Sequence, residues 1–216
     1  LGVLVALVDV SSMTARERHF RLAYDALQHS NDALERRVTE RTKWLGLLHQ
    51  VTRAIGDAPS WDEGLRLALN HICEHEGWQL GYVYLPDPDA PNVVVHAISC
   101  VRDDSMLPFH QVSEHRRYSA GLCLPGRVYS NGSPAWLTTP HELTDWLPTR
   151  SGMAKAVGLK TAVGLPVRFG GRAIAVLELF STEVHRPSDT LLDLMHDVTD
   201  QIGHVVEREG RNVQMQ

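Results

Sequence analysis

The sequence predicts an α+β fold, in which an antiparallel sheet is flanked by helices, with a long N-terminal helix and a C-terminal helix on the same side. Three observations predict it. Mostly apolar residues between positions 20 and 55 recur in alternating steps of four and three, the heptad repeat of a long helix. Two segments, 78–101 and 161–180, have the pattern of paired strands joined by turns. The last segment, 188–208, carries an apolar stripe with helical spacing.

Bulk composition excludes several classes of function. The 216 residues are 43% hydrophobic and 22% charged, close to the average of globular domains. The formal net charge of −5 includes no basic block, so nucleic acid is not an expected partner. No run of about twenty apolar residues is present, so we expect no membrane contact. Three cysteines, Cys73, Cys100 and Cys123, lack a C-x-x-C spacing and indicate free thiols in the cytoplasm.

The chain opens with an apolar segment, residues 1–10, that is rich in Val and Leu. This composition is typical of a β-strand, and a strand requires neighbouring strands to form a sheet. We therefore predict that residues 1–13 are the C-terminal strand of a larger upstream domain. The Asp, Ser and Thr residues between positions 9 and 14 are suitable N-caps for the helix that follows.

The heptad repeat assigns the core positions of a two-stranded coiled coil. Val and Leu occupy its a and d positions in the combination that parallel dimers favour, and one Asn at an a position fixes the register. Arg41 at d and Thr52 at a weaken the repeat. The predicted homodimer is a parallel coiled coil with a seam formed by Tyr24, Leu27, Asn31, Leu34, Val38, Leu45 and Leu48. The alternative is a single amphipathic helix that packs on its own domain, particularly over residues 45–55.

Residues 61–76 have the pattern of a second helix, with Ser60 as its N-cap and Glu63 as the capping-box partner. One face carries His71-Ile-Cys-Glu-His75, which matches the H-x-x-E-H pattern of inverted zinc proteases. Two histidines one turn apart could share a metal, but the sequence marks no third ligand. We therefore predict no metal site, keep His71 and His75 as weak candidates for a zinc hydrolase, and interpret both as surface residues.

The rest of the chain alternates strand and helix patterns. Strands are predicted at 78–85, 93–101, 134–137, 161–169 and 172–180, and short helices after residue 121 and at 151–159. The polar region 109–118 has no clear pattern. Gly170 and Gly171 supply the positive φ angles that a two-residue hairpin turn requires.

Two sequence blocks resemble the GAF family of sensor domains. The blocks are Gly121-Leu-x-Leu-Pro-Gly-Arg-Val with Ser130-x-Gly-x-Pro134, and Val176-Leu-Glu-Leu-Phe-Ser181 with Arg186-Pro-Ser-Asp189. The resemblance covers roughly residues 45–208. It implies a sheet with helices on one face and a pocket on the other, enclosed by loops and short helices.

Two further resemblances place this domain in a longer protein. Asp9-Val10-Ser11 resembles the turn that ends PAS domains, and residues 33–42 resemble linkers before sensor modules in bacterial histidine kinases and diguanylate cyclases. The predicted order is therefore the last strand of a PAS-like domain (1–13), a coiled-coil signalling helix (14–50), the GAF-like domain (45–208) and a linker to an output domain (209–216).

Different GAF domains bind cyclic nucleotides, haem, bilins or small metabolites in this pocket, or nothing. Bilin is disfavoured because no cysteine precedes a histidine, and cyclic nucleotides because the Asn-Lys and Asp-Glu patterns are missing. An empty pocket is favoured, while haem stays open because histidines are available as axial ligands. The candidate pocket residues are Tyr82, Tyr84, His96, Phe109, His110, His115, Tyr118, Cys123 and Trp136. Their character favours a small apolar or planar ligand.

The resemblance implies a sensory module that dimerises and relays a signal by helix rearrangement to an output domain. A histidine kinase is the first expectation for that output, and a diguanylate cyclase is the second. The alternatives are a ligand-free dimerisation and spacing module, or a haem-binding gas or redox sensor. We expect no catalytic residues in this chain, because its sequence contains neither a nucleophile elbow nor a phosphate-binding loop.

Overall fold

The computed structural model describes residues 2–186, 195–197, 199–200 and 202–203, with side chains from residue 20 onward except 40 and 61. The helices are α1 (Gly2–Asp57), α2 (Trp61–Glu76), α3 (Leu107–Ser113), α4 (Cys123–Asn131), α5 (Pro140–Trp146) and α6 (Ser151–Ala156). The strands are β1 (Leu80–Asp87), β2 (Ala90–Val101), β3 (Arg117–Ser119), β4 (Ala135–Leu137), β5 (Thr161–Phe169) and β6 (Arg172–Ser181). A 3₁₀ turn, Asp104–Met106, precedes α3.

The strands form one antiparallel sheet in the order β3-β2-β1-β6-β5-β4. The predicted α+β class, with a sheet flanked by helices, is therefore confirmed. The two predicted hairpins meet at the centre of the sheet, where Tyr82 on β1 lies opposite Glu178 on β6. Gly170 and Gly171 join β5 to β6 with φ angles of 57° and 79°, as predicted for a two-residue turn.

One face of the sheet, the helix face, packs against α2. A Cβ atom placed on Gly81 would lie 2.7 Å from Cys73 Sγ and 2.9 Å from Leu69 Cδ1. The missing side chain at Gly81 therefore lets α2 lie directly on β1. Leu177 and Leu179 on β6 are buried on this same face, because they alternate with residues that face the other way.

The C-terminal end of α1 packs against α2 rather than standing free. Leu47, Val51 and Ile55 are buried, and a Cβ atom on Gly64 of α2 would lie 3.0 Å from the Cα atom of Ile55. This stripe differs from the predicted seam, whose Leu48 is only half-buried. The interpretation of residues 45–55 as a helix that packs on its own domain is thus confirmed for this stripe.

The opposite face, the loop face, is covered by α3–α6 and their connections. Its core contains Leu80, Tyr82, Tyr84, Val94, Met106, Phe109, Tyr118, Leu124, Val128, Val176 and Phe180. A Cβ atom on Gly164 of β5 would lie 2.8 Å from side-chain atoms of both Leu124 and Val128, so α4 lies against the strand. The central strands are therefore buried on both faces.

The N-terminal helix α1 is 56 residues long and begins at Gly2. The strand predicted within residues 1–13 is wrong, because residues 2–13 are helical. A strand at this position would need a partner strand for its backbone groups, whereas a helix bonds them internally. The origin of residues 1–13 in a PAS-like domain stays a prediction. The chain divides into two compact units, residues 1–45 and 46–216.

Helix boundaries follow local capping chemistry. Ser60 caps α2, because its Oγ atom accepts a hydrogen bond from the Glu63 backbone N–H. The sequence interpretation missed α5, although Thr139 and Glu142 form a capping box at its start. The unclassified region 109–118 contains most of α3 and the beginning of β3.

Two predicted segments lie largely or entirely outside the described residues. Of the predicted helix 188–208, only positions 195–197, 199–200 and 202–203 are described, and these are helical. The predicted linker 209–216 lies wholly outside. Within the described part, no helix combines the length and apolar character that a membrane span requires.

Candidate functional site

A buried ion pair lies at the centre of the loop face. Glu178 projects from β6, and the guanidinium of Arg150 donates two hydrogen bonds to it, Nη1 to Oε2 at 2.9 Å and Nη2 to Oε1 at 2.6 Å. The Tyr84 hydroxyl donates a third, to Oε2 at 3.0 Å. Both charged side chains have 0% exposure. We call these three residues, Arg150, Glu178 and Tyr84, the polar core.

Arg150 reaches this position because its backbone is fixed between two short helices. Its N–H donates to Leu147 O at the end of α5, and its carbonyl accepts from Ala154 N in α6. The two-pronged contact with Glu178 uses the planar fork of the guanidinium, which matches a carboxylate. Glu178 is held by a central strand, paired on both sides. The pair therefore links the loop segments rigidly to the sheet.

Three aromatic rings enclose the guanidinium of Arg150. Its Cζ atom lies 5.3 Å from the ring centroid of Tyr118 and 5.5 Å from those of Phe109 and Phe180. These distances permit cation–π attraction, which is stronger where water is excluded. Phe109 and Phe180 also contact each other edge to face at 5.0 Å.

Burial and the charges of the polar core keep Arg150, Tyr84 and Tyr118 protonated. Burial by itself lowers the pKa of Arg150, but the Glu178 carboxylate raises it, and the net shift is upward. Burial, followed by the charge of Glu178, raises the pKa of Tyr84, so this hydroxyl remains a hydrogen-bond donor. Burial raises the pKa of Tyr118 to about 12. The site is thus a neutral ion pair surrounded by protonated phenols.

Three buried polar atoms around the polar core have no hydrogen-bond partner within the described residues. They are Arg150 Nε, Tyr118 Oη and His96 Nε2. Arg150 and Tyr118 are 1% and 4% exposed. Unpartnered groups at such depth are costly unless water or a ligand bonds them. An acceptor atom of water or of a small ligand would therefore satisfy the guanidinium and the phenol.

Most of the predicted pocket residues do meet on this face. Tyr82, Tyr84, Phe109 and Tyr118 belong to its core, Cys123 packs against that core, and the rings of His96 and His110 lie 5.3 Å and 5.8 Å from that of Tyr82. The Tyr82 hydroxyl lies 3.1 Å from His110 Nδ1.

Two predicted pocket residues lie apart from the core. The His115 side chain is 86% exposed at the margin, 6.4 Å from the His96 ring. Trp136 projects from β4 between Ala135 and Leu137, which face the core, so its ring lies on the other side of the strand. There Trp136 contacts Trp78 and donates to the His185 carbonyl.

Haem does not fit the loop face as it is packed. A planar macrocycle would need the space that Phe109, Phe180 and the polar core fill with side chains of at most 1% exposure. His110 is engaged by Tyr82 and lies 3.8 Å from Glu114. The residues present therefore favour a much smaller ligand than haem, or none.

The weak zinc candidates do not form a metal site with other described residues. His75 Nδ1 lies 3.0 Å from the carboxylate of its neighbour Glu76, and His71 is half-buried beside the end of α1. Within the ranges that the structure covers, no three His, Cys, Asp or Glu side chains are arranged to hold a metal ion.

Most of the predicted seam residues expose apolar side chains. The exposed fractions on α1 are 52% for Tyr24, 67% for Leu27, 59% for Leu34, 58% for Val38 and 57% for Leu45. Asn31 Nδ2 donates to Glu35 Oε1 within the helix at 3.2 Å. The apolar seam is thus available to a partner over residues 20–45.

The sequence interpretation missed both charged members of the polar core. A signal for Glu178 was present, because a single carboxylate inside the apolar segment 176–181 is expected to be buried and would then need a cation. Nothing in the sequence identifies Arg150 as that cation, since 28 residues separate them.

The chain is similar to known proteins in sequence and fold. A family model described as "GAF domain" matches residues 58–207. In a curated relative, transcription factor GLABRA 3 from Arabidopsis thaliana, 66 residues align at 36% identity, covering 31% of this chain and 10% of that protein. The match thus spans about a tenth of the length of that relative.

Two solved structures share the fold at low sequence identity. The GAF domain of an Acinetobacter phosphoenolpyruvate-protein phosphotransferase superposes with a TM-score of 0.63 at 13% identity, over 79% of this chain and 97% of that one. A domain of a putative two-component sensor histidine kinase from Sinorhizobium meliloti superposes with a TM-score of 0.55 at 12% identity, over 74% and 99%. At these identities the likeness concerns the fold.

Proposed function

The chain belongs to the GAF domain family of sensory and regulatory modules, and from this premise we propose that it dimerises through α1 and relays a signal. The signal passes as a rearrangement of helices to an output domain, for which a histidine kinase is the first choice and a diguanylate cyclase the second. A domain with the same fold occurs in a putative two-component sensor histidine kinase from Sinorhizobium meliloti, so the fold is compatible with the first choice.

The observation that carries this proposal is the exposed apolar seam on α1. Leu27 and Leu34, at d positions, expose 67% and 59% of their surface. Large apolar side chains in a continuous stripe on one helix are typical of an interface. A parallel partner helix would bury them as knobs in holes and leave Asn31 opposite its copy, which sets the register.

The signal can pass along α1 because this helix is continuous. α1 runs without interruption from Gly2 to Asp57, and its last turns are packed against α2 through Ile55 and Gly64. A rotation or register shift in the dimer would therefore move α2 and the sheet behind it. Arg41 and Thr52, which weaken the heptad repeat, allow two registers to lie close in energy.

Light scattering tests the dimer. We expect the wild-type chain to be a dimer at micromolar concentration and Leu27→Asp to be a monomer with unchanged helical content by circular dichroism. Leu22→Asp is the matched control, because Leu22 is 63% exposed on the same helix but lies at an f position, away from the seam. A monomeric wild-type chain, or equal effects of both substitutions, would overturn the proposal.

A second candidate function is a ligand-free dimerisation and spacing module. The filled interior of the loop face favours it, because Arg150 is neutralised by the protein's own Glu178. A ligand-sensing relay instead uses the unpartnered Arg150 Nε and Tyr118 Oη, and the expected ligand is small, planar and rich in acceptors.

Native mass spectrometry and thermal shift assays separate these two functions. A copurified small molecule, or a rise in Tm with aromatic carboxylates that is lost in Tyr118→Phe, supports sensing at the loop face. No bound species and no shift across such a panel supports the spacer.

A further inference from the structure

Two of the three cysteines face each other between α2 and the sheet. Cys100 on β2 lies directly opposite Gly81 on β1. Directly opposed residues of antiparallel strands project to the same face, so Cys100 points to the helix face. The Cys73 thiol of α2 lies 2.7 Å from the place where a Gly81 Cβ atom would be. The two thiols are therefore neighbours above Gly81.

A second contact lies beside the same helix and strand. Arg102 Nη2 lies 3.6 Å from Glu74 Oε1, where Arg102 is the residue just after the end of β2 and Glu74 follows Cys73 in α2. Cys73 is 0% exposed and Cys100 is 5% exposed, while Cys123 lies far off on the loop face. The pair is thus built into the packing of α2 on the sheet.

The environment distinguishes the two thiols. The hydrogen bond that Cys73 shares with Cys100 lowers the pKa of Cys100, and the nearby Arg102 charge lowers it further against the opposing effect of burial. The same hydrogen bond, followed by burial, raises the pKa of Cys73. Cys100 is also the more exposed of the two, at 5% against 0%, so it is the thiol that a peroxide reaches first and the nucleophile, with Cys73 as its partner.

We propose that Cys73 and Cys100 are an oxidative modification site, at which a small hydroperoxide such as hydrogen peroxide forms a reversible disulfide between α2 and β2. The site belongs to the helix face and goes beyond the proposed relay, on which its chemistry does not depend.

The reaction proceeds in two balanced steps. The Cys100 thiolate attacks one peroxide oxygen, the O–O bond breaks, and the departing hydroxide takes up a proton to leave as water, so that Cys100 becomes a sulfenic acid. The Cys73 thiol then attacks the sulfenic sulfur, the S–O bond breaks, and the Cys73 proton leaves with the hydroxide as a second water. Two sulfurs lose two electrons in total, and the peroxide gains them.

The disulfide would pull α2 toward β2. A disulfide requires the two sulfurs to approach to about 2.05 Å, closer than two thiols in contact. α2 contacts the end of α1, because a Cβ atom on Gly64 would lie 3.0 Å from Ile55 Cα. A shift of α2 would therefore reach the last turns of α1.

Thiol counting in the native wild-type chain tests the site directly. The chain is treated with hydrogen peroxide, quenched, denatured and alkylated, and then analysed by intact mass and peptide mapping. We expect two of the three thiols to be lost, a Cys73–Cys100 linked peptide, a monomeric band on a non-reducing denaturing gel, and full recovery with dithiothreitol. Three alkylated thiols, a linkage through Cys123, or oxidation beyond sulfenic acid without a linkage would overturn the proposal.

Single substitutions assign the roles of the two sulfurs. Cys123→Ser is the matched control and should form the linkage at the wild-type rate. In Cys73→Ala, dimedone should label Cys100 as a trapped sulfenic acid, whereas Cys100→Ala should consume no peroxide. Equal peroxide consumption by all three variants contradicts the assignment. The wild-type mapping decides the proposal even if an alanine variant does not fold.

Discussion

Two regions of this molecule depart from ordinary burial in opposite directions. On α1, residues 20–45 expose large apolar side chains, with Leu27 at 67%. In the domain after residue 46, Arg150 and Glu178 bury full charges at 0% side-chain exposure. Globular proteins rarely expose a stripe of large apolar side chains unless it forms an interface, and they rarely bury charged side chains unless these are paired.

The contrast teaches which region is complete by itself. The buried charges have their partners within the same domain, since Arg150, Glu178 and Tyr84 bond one another. Within the described residues, the leucines of α1 between positions 20 and 45 stay exposed. The domain therefore satisfies its buried charges internally, whereas the apolar stripe of the helix would be covered only in the proposed dimer.

Removing one charge of the polar core should cost the most stability. Arg150→Met leaves Glu178 as an unpaired buried carboxylate, for which a loss of about 3–5 kcal/mol in the free energy of unfolding is expected. Urea denaturation at neutral pH measures it. The control is Arg66→Met on the surface of α2, which breaks the exposed pair with Glu63 and should cost less than about 1 kcal/mol.

A double variant shows whether charge isolation causes this loss. In Arg150→Met with Glu178→Leu, no unpaired charge remains, and most of the lost stability should return. If the double variant is as unstable as Arg150→Met alone, packing rather than electrostatics explains the effect, and the polar core is not the self-sufficient unit described above.

Removing one hydroxyl of the polar core should have an intermediate effect. Tyr84→Phe deletes the hydrogen bond to Glu178 Oε2, and a bond to a charged group is worth about 1.5–3 kcal/mol. Tyr129→Phe on α4 is the control, because the Tyr129 hydroxyl donates to the Pro91 carbonyl at 3.2 Å in an exposed hydrogen bond. Equal and small changes in the urea midpoint for both variants would show that the buried hydroxyl contributes little.

The pH dependence at His96 should be the smallest of these effects. Burial, followed by the charge of His110, lowers the pKa of His96 in the folded state. Since the unfolded chain then binds the proton more tightly, the stability from neutral His96 is present above about pH 6.5 and is lost as the pH falls below it. We expect Tm to fall less between neutral pH and about pH 5 in His96→Gln than in the wild type. His29→Gln, at an exposed f position of α1, is the control and should leave the slope unchanged. Identical slopes in all three proteins would contradict this.

The sequence predicted the domain well, but of the polar core it predicted only Tyr84. Local signals found the strands of both hairpins, the Gly170–Gly171 turn and the Ser60 cap, because each depends on neighbours in the chain. The pairing of Arg150 with Glu178 depends on how α6 meets β6, which no local pattern encodes.

Two predictions that the structure contradicts, the strand within residues 1–13 and the pocket position of Trp136, have different physical causes. The apolar run after Gly2 has strand propensity, but without a partner strand the helix of α1 prevails. The aromatic character of Trp136 predicts a position in the pocket, whereas the alternation of β4 turns its ring to the opposite face. Propensity and residue type identify elements and cores, but register decides which face a side chain occupies.

The central claim, that α1 is completed by a second copy, is tested most directly by cysteine cross-linking at a d position. Under mild oxidation, Leu34→Cys should give a covalent dimer that reducing agent reverses, because the d positions of a parallel, in-register pair face each other. The control is Arg36→Cys, because Arg36 is exposed and lies at an f position two residues away. This variant, in an otherwise wild-type chain like that of Leu34→Cys, should give no covalent dimer. Similar yields from both variants, or no cross-link from Leu34→Cys, would contradict the account.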